Sequence, residues 1–224
     1  EARFNEKNFF LRNDSRNYEG TLAAIESANV IAEREEAVLE NAEQKDAMAV
    51  ILKDLAEYRE AFQRMGELQA QSTNLQSSME DSARQTVESL VRLEEFFQNR
   101  TQDQFRAGRE AEARENLRLA RLAGELARPM LDARRIEKNY VLSQNPQDSA
   151  ALSQQLEALK EGASELADVA DTDSASARIL EIEGALTSYE ERVKELTENF
   201  AAMSREEARV TELAREAREN AESA

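Results

Sequence analysis

Apolar residues recur at intervals of three and four along almost the whole chain, and strand-like alternation is nearly absent. The spacing predicts a first helix through about Arg12, a second from about Arg16 to Leu39 and a third from about Lys45 to near Gln98. In the third, Met48, Ile51, Leu55, Tyr58, Phe62 and Met65 mark one apolar face. A fourth helix covers roughly Arg109 to Leu142, a fifth runs from Pro146 to about Val169, and a sixth runs from about Ala175 to the end. The turn "RNDSRN" separates the first two, because Asn, Asp and Ser side chains compete with the helical backbone for hydrogen bonds. A weaker break falls at "ENAEQKDA" and a polar turn at "QNRTQDQFRAG". In "SQNPQDS", Pro146 pushes the residue before it out of helical geometry and opens the next helix. "DTDSAS" is the last loop, with Asp173 or Ser174 as the N-cap. Pro129 is expected to bend the fourth helix, since it removes one backbone bond and crowds the preceding turn. The fold class is all-α.

The chain repeats itself. "ARFNEKNFFL" at 2–11 returns as "ARRIEKNYVL" at 133–142, an offset of 131. At the same offset Ile25 meets Leu156, Ala32 meets Ala163, Val38 meets Val169 and Tyr58 meets Tyr189. Ile51, Leu55 and Glu60 likewise meet Ile182, Leu186 and Glu191. The turns follow: "RNDSR" falls on "SQNPQ". A three-helix unit at about 2–65 therefore recurs at about 133–196. Chance matches among Glu- and Ala-rich helices are common, so the shared offset of turns and apolar positions carries this inference, not the ten-residue motif.

Composition narrows the function. Among 224 residues there are two Pro, six Gly, no Cys, no His and no Trp, and the formal charge is −17. Few Pro and Gly permit very long helices. The negative charge argues against DNA, RNA and anionic lipid as partners. Without Cys there are no disulfides and no thiolate metal sites. Without His there is neither the usual general base nor the Glu-x-x-His pattern of a di-iron bundle, and no phosphate loop or nucleophile elbow is present. No enzyme activity, cofactor or metal is expected. There is no signal peptide and no apolar run near 18 residues. Both ends run in helical pattern with no cap or stop, as in a piece cut from a longer protein.

Counting residues along the six helices gives two four-helix bundles stacked end to end, sharing the long third and sixth helices. One bundle takes residues 1–66 and 197–224, the other 67–196. The twin "AR..EKN" motifs, the six helices and the two uncapped ends resemble the helical bimodular sensor domain of bacterial transmembrane chemoreceptors and related sensor kinases. The likeness is greatest to the Pseudomonas-type receptors for tricarboxylic-acid-cycle intermediates, and it covers the whole chain. It implies a periplasmic domain of an inner-membrane homodimer. It also implies that the membrane-proximal bundle, 1–66 with 197–224, binds a di- or tricarboxylate such as malate, succinate, fumarate or citrate. The distal bundle would take a second small acid such as acetate.

The residues must supply the cations. Residues at equal height in the first bundle are Arg3, Ser27, Asn29, Tyr58 and the span Arg205 to Arg209, with Arg12 and Arg16 nearer the junction. Guanidinium forks would hold the two ends of a dicarboxylate, and hydroxyl and amide groups would orient it. Through the repeat, Arg134 replaces Arg3 and Tyr189 replaces Tyr58. Thr73 and Asn74 lie where Arg205 would be, with Arg135 and Lys138 nearby. Fewer arginines suit a smaller, singly charged acid. The plain alternative makes Arg134, Glu137 and Lys138 an exposed charge ladder, and Tyr58 and Tyr189 core residues with satisfied hydroxyls. Two other functions compete: a structural helical rod or tether with no small-molecule ligand, and the same sensor fold from a histidine kinase. A rod requires heptads sustained along each long helix, and "QAQSTNLQSS" at 69–78 reads as an interruption. In the sensor, ligand bridging the first and sixth helices would favour one of two packings, and the sixth helix would carry the shift toward the membrane.

Overall fold

The computed structural model describes residues 15–170 and 172–223. These form five helices and no strand: α1 (Ser15–Val38), α2 (Ala42–Arg106), α3 (Glu110–Ser143), α4 (Pro146–Val169) and α5 (Asp173–Ser223). The predicted first helix, and with it the first copy of the twin motif, lies outside the described residues. None of the described helices is long and apolar enough to cross a membrane.

The helix ends show why the chain stops where it does. Asn41 Oδ1 accepts from the Glu43 N–H at 2.9 Å at the start of α2. Asn145 Oδ1 accepts from the Gln147 N–H at 3.0 Å, and Pro146 fills the first helical position, where a missing N–H costs nothing. At α5 the cap is Thr172 rather than Asp173 or Ser174: its Oγ1 accepts from the Ala175 N–H at 3.3 Å, and Asp173 is already inside the helix. The helix α2 outruns its predicted end. "NRTQDQFR" stays helical, Thr101 turning its hydroxyl to the Phe97 carbonyl at 2.9 Å, until Gly108 takes a left-handed φ of 72°. The Arg109 N–H then reaches back to the Gln104 carbonyl at 2.9 Å, a Schellman ending that glycine makes possible. Pro129 lies within α3, which continues through it.

The repeat is visible in the helix boundaries. The last residues of α1 and α4, Val38 and Val169, are 131 apart, as are the starts of α2 and α5, Ala42 and Asp173. Several matched positions share burial: Ile25 with Leu156, Ala32 with Ala163 and Tyr58 with Tyr189 are buried, while Val38 and Val169 are exposed; Ile51 and Leu55 are only half-buried where Ile182 and Leu186 are buried.

The described chain divides into two compact units. One holds the residues up to Thr73 with the segment from Glu198 on; the other is Asn74–Thr197. The long helices α2 and α5 each contribute to both. The first unit is built on Ile25, Tyr58, Phe62, Met65, Val210 and Leu213, with Tyr18 stacked on Phe62 at 5.3 Å between ring centroids. The second is built on Phe97, Leu119, Met130, Leu156, Ile182 and Leu186 among others.

Along α2, Tyr58, Met65, Ser72, Met79, Thr86 and Leu93 follow at seven-residue steps and all are buried. The polar stretch at 69–78 therefore does not interrupt the seam. Its inward member, Ser72, is small and approaches Met203 Sδ at 3.8 Å. Thr86 and Ser82 satisfy themselves on the carbonyls of Ser82 and Ser78, at 2.9 and 3.0 Å. Hydroxyls of this kind sit in a helical seam at little cost, so the polar stretch by itself does not argue against a rod.

Candidate functional site

The candidate site lies in the second unit. Its centre is Glu137, a carboxylate only 3 % exposed inside a helical core. It is there because of position. Asn116, Ala123, Met130 and Glu137 fall seven residues apart on α3 and all are buried, so the helix carries Glu137 inward with the rest of its apolar line. A bare carboxylate at that place would be costly. Two groups compensate it: Arg134 Nη1 donates to both Glu137 oxygens, and the fully buried Tyr189 Oη donates to Glu137 Oε2 from α5.

The electrostatics are mutual. Burial works against the Arg134 charge, but the hydrogen bond and attraction of Glu137 more than offset it, so the guanidinium holds its proton more firmly than usual. Burial first, and then the charge of Glu137, push the Tyr189 phenol above its ordinary range, so it remains a donor. The alternative of an exposed ladder fails for these two residues, since Arg134 and Glu137 side chains are only 15 % and 4 % exposed. It holds for Lys138 and Arg135, both exposed; Arg135 Nη2 stands 3.7 Å from Asp132.

Arg134 and Lys138 line an open groove of about 430 Å³ with Gln76, Ser77, Glu80, Glu137, Val141 and the exposed Leu142. With Nη1 committed to Glu137, Arg134 turns Nη2 toward Glu80 Oε1 on α2 at 3.8 Å, and that carboxylate is 68 % exposed. The groove thus offers an anchored guanidinium edge, an ammonium, a hydroxyl and an amide beside two carboxylates and two apolar side chains. A second groove of similar volume, between α4 and α5, is lined by Glu157, Glu161 and Glu183 with Lys160. Lys160 is already bound to Glu190 at 2.8 Å, so this groove repels anions.

The first unit does not assemble its predicted layer from the described residues. Arg3 and Arg12 lie outside them. Arg16, Ser27, Arg205 and Arg209 are exposed, and Asn29 is half-buried at the edge of its helix. Ser27 bonds the Ala23 carbonyl at 2.9 Å, Asn29 bonds Glu33 at 2.8 Å, and Arg205 Nε bonds the Ala201 carbonyl at 3.2 Å. Tyr58 is in the apolar core. Equal height along neighbouring helices is not enough for contact. The inward line of α5 runs through Glu206, Val210 and Leu213, so Arg205 and Arg209 point about 100° away from it. Arg64 is the cation that reaches inward: its Nη1 bonds Glu60 at 2.6 Å and its Nε stands 3.5 Å from Glu206. Its position beside Met65 on the buried seam was the available signal. Of the residues expected at the second site, Thr73 and Asn74 are also not among those that line the groove. Both are exposed, and Thr73 bonds the Gln69 carbonyl at 3.1 Å.

No protein-family model matches the chain, and no curated protein matches it at a significant level.

Proposed function

We propose that the chain is a ligand-sensing domain of a bacterial transmembrane receptor, periplasmic and homodimeric, that responds to small organic acids. In this reading the five described helices and the predicted first one make six, arranged as two stacked four-helix bundles. The observation that supports it is the Arg134 guanidinium at the edge of an open groove, held by a buried carboxylate that a buried phenol in turn fixes. Such anchoring is needed to orient a planar fork for a carboxylate, and a plain surface ion pair does not need it. A small acid of the acetate class would set its carboxylate on Nη2 of Arg134 and on Lys138, taking the place of the exposed Glu80 carboxylate. Its short carbon chain would rest on Val141 and Leu142. The dicarboxylate half of the reading rests on Arg3 and Arg12. Sensing would follow from linkage, with ligand favouring one of two helix packings. The output module, chemoreceptor or sensor kinase, is left open.

The test is calorimetric titration of the domain with malate, with acetate, and with each in the presence of the other. Saturable binding of both without competition supports two sites. Mutual competition leaves the one groove. No heat with either acid, together with an unchanged melting temperature, removes the ligand. A second reading, a helical rod or tether, is favoured by the buried seven-residue line from Tyr58 to Leu93 on α2. It predicts the same null titration.

A further inference from the structure

The outward face of α3 carries an arginine column. Arg114, Arg121, Arg128 and Arg135 stand seven residues apart, and all four are exposed. Beside them on the same face lie Leu117, 47 % exposed, and Leu131, 60 % exposed. α3 has seven basic residues against six acidic, the only described helix in which bases outnumber acids, in a chain of charge −17. Its neighbour α2 carries the opposite pattern. Asp81, Glu88 and Glu95 stand seven apart and exposed, beside the exposed Val91 and Phe105. Thus an acidic column and a basic column, each bordered by uncovered apolar side chains, lie on adjacent antiparallel helices of one unit.

The register between them is fixed by the hairpin. Arg134 faces Glu80, and the Glu94 carboxylate lies over Gly124. Each step up α2 is therefore a step back along α3, which sets Glu95 about level with Arg121, Glu88 with Arg128 and Asp81 with Arg135. These residues do not pair with one another. No ion pair joins the two columns among the described residues; Asp81, Glu88 and Arg135 have only exposed partners on their own helices, Arg84, Arg92 and Asp132. Both columns point away from the core, as the buried lines through Met79, Thr86 and Leu93 and through Ala123 and Met130 require.

We propose that this α2–α3 face binds a second copy of the chain. A two-fold axis parallel to the helices keeps every residue at its own height. It therefore sets the arginine column of each copy beside the acidic column of the other, three matched pairs on either side, with Leu117, Leu131, Val91 and Phe105 packed between. The flanking charges fix partner and register, as in paired coiled coils. The proposal deepens the self-association included in the sensor reading, but it stands on charge register and exposure and needs no ligand.

The test is sedimentation equilibrium of the wild-type domain and two variants, Arg121→Glu with Arg128→Glu, and Glu88→Arg with Glu95→Arg. All four positions are exposed, and circular dichroism checks the fold of each variant. Self-association of the wild type should weaken at least about tenfold from 50 to 500 mM salt, and each variant should weaken it at least about tenfold at low salt. Mixing the two variants should restore association as a heterodimer, because each then meets the opposite sign at both columns. An adequately folded pair that stays monomeric when mixed overturns the proposal. So does wild-type association that neither salt nor reversal weakens, which would place the dimer surface elsewhere and leave the sensor reading intact. A wild type monomeric at every concentration removes both this interface and the homodimer.

Discussion

The two units carry the same buried tyrosine but different outer ion pairs. Tyr58 in the first and Tyr189 in the second are 131 residues apart, on helices that begin 131 apart, and both are buried. Tyr58 is packed among Ile25, Ala61, Phe62 and Met65. Tyr189 has Glu137 and, through it, Arg134. Even the outer ion pairs differ in sign. Arg59 holds Glu26 in the first unit at 2.7 Å; the position equivalent to Arg59 is Glu190 in the second, and it holds Lys160 at 2.8 Å. A duplicated scaffold keeps its helix breaks and many of its buried positions while its surface charges diverge, because packing tolerates many charge arrangements and few volumes. Function, where it exists, is to be sought in what diverged.

The difference can be broken most severely at Arg134. Removing it as Arg134→Ala leaves Glu137 buried without its main partner and should cost about 3–5 kcal/mol in denaturant unfolding. Replacing both, Arg134→Met with Glu137→Leu, should recover most of that loss while abolishing any acid binding at the groove. Failure to recover would mean that the ion pair is needed for the fold and not for a site. In the first unit a loss of comparable size should come from an apolar deletion: Phe62→Ala should cost about 3–5 kcal/mol, through the cavity left under Tyr18.

A smaller effect sharpens the comparison. Tyr189→Phe leaves Glu137 short of one donor and should cost about 1–3 kcal/mol, measurable as a shift in midpoint at constant slope. The same variant should alter the alkaline limb. With the folded phenol raised, its contribution to stability is fully present below the unfolded value near pH 10 and is lost as pH rises from there. Stability of the wild type should thus fall more steeply above about pH 10 than that of Tyr189→Phe. The smallest effect is predicted for Arg205→Ala. An exposed guanidinium bonded only to its own helix should change stability by less than about 0.5 kcal/mol.

Helix identity, the caps at Pro146 and the duplicated boundaries were legible in the sequence because each depends on neighbours within a turn or two. The azimuth of each residue was harder to read. Arg205 and Arg209 share a height with Tyr58 but not a face, and the inward partner proved to be Arg64. Arg134 and Lys138 do line one groove, yet Glu137, which joins Arg134 to Tyr189, also fits a plain surface ladder by its spacing. Its place seven residues beyond Met130 would have put it inside. What no local pattern shows is its second partner, Tyr189, 52 residues away. The serines of 69–78 were read as a break for the converse reason: a hydroxyl that bonds its own helix is polar by composition and harmless in a core.

The central claim is that the groove takes a carboxylate at Arg134 in place of Glu80. Acetate titration of the wild type beside Glu80→Gln tests it most directly, since Glu80 is exposed and its loss leaves the buried network alone. The account predicts binding in both, severalfold tighter in Glu80→Gln, because the competing carboxylate is gone. Equal affinity in the two, or heat in neither, would contradict it.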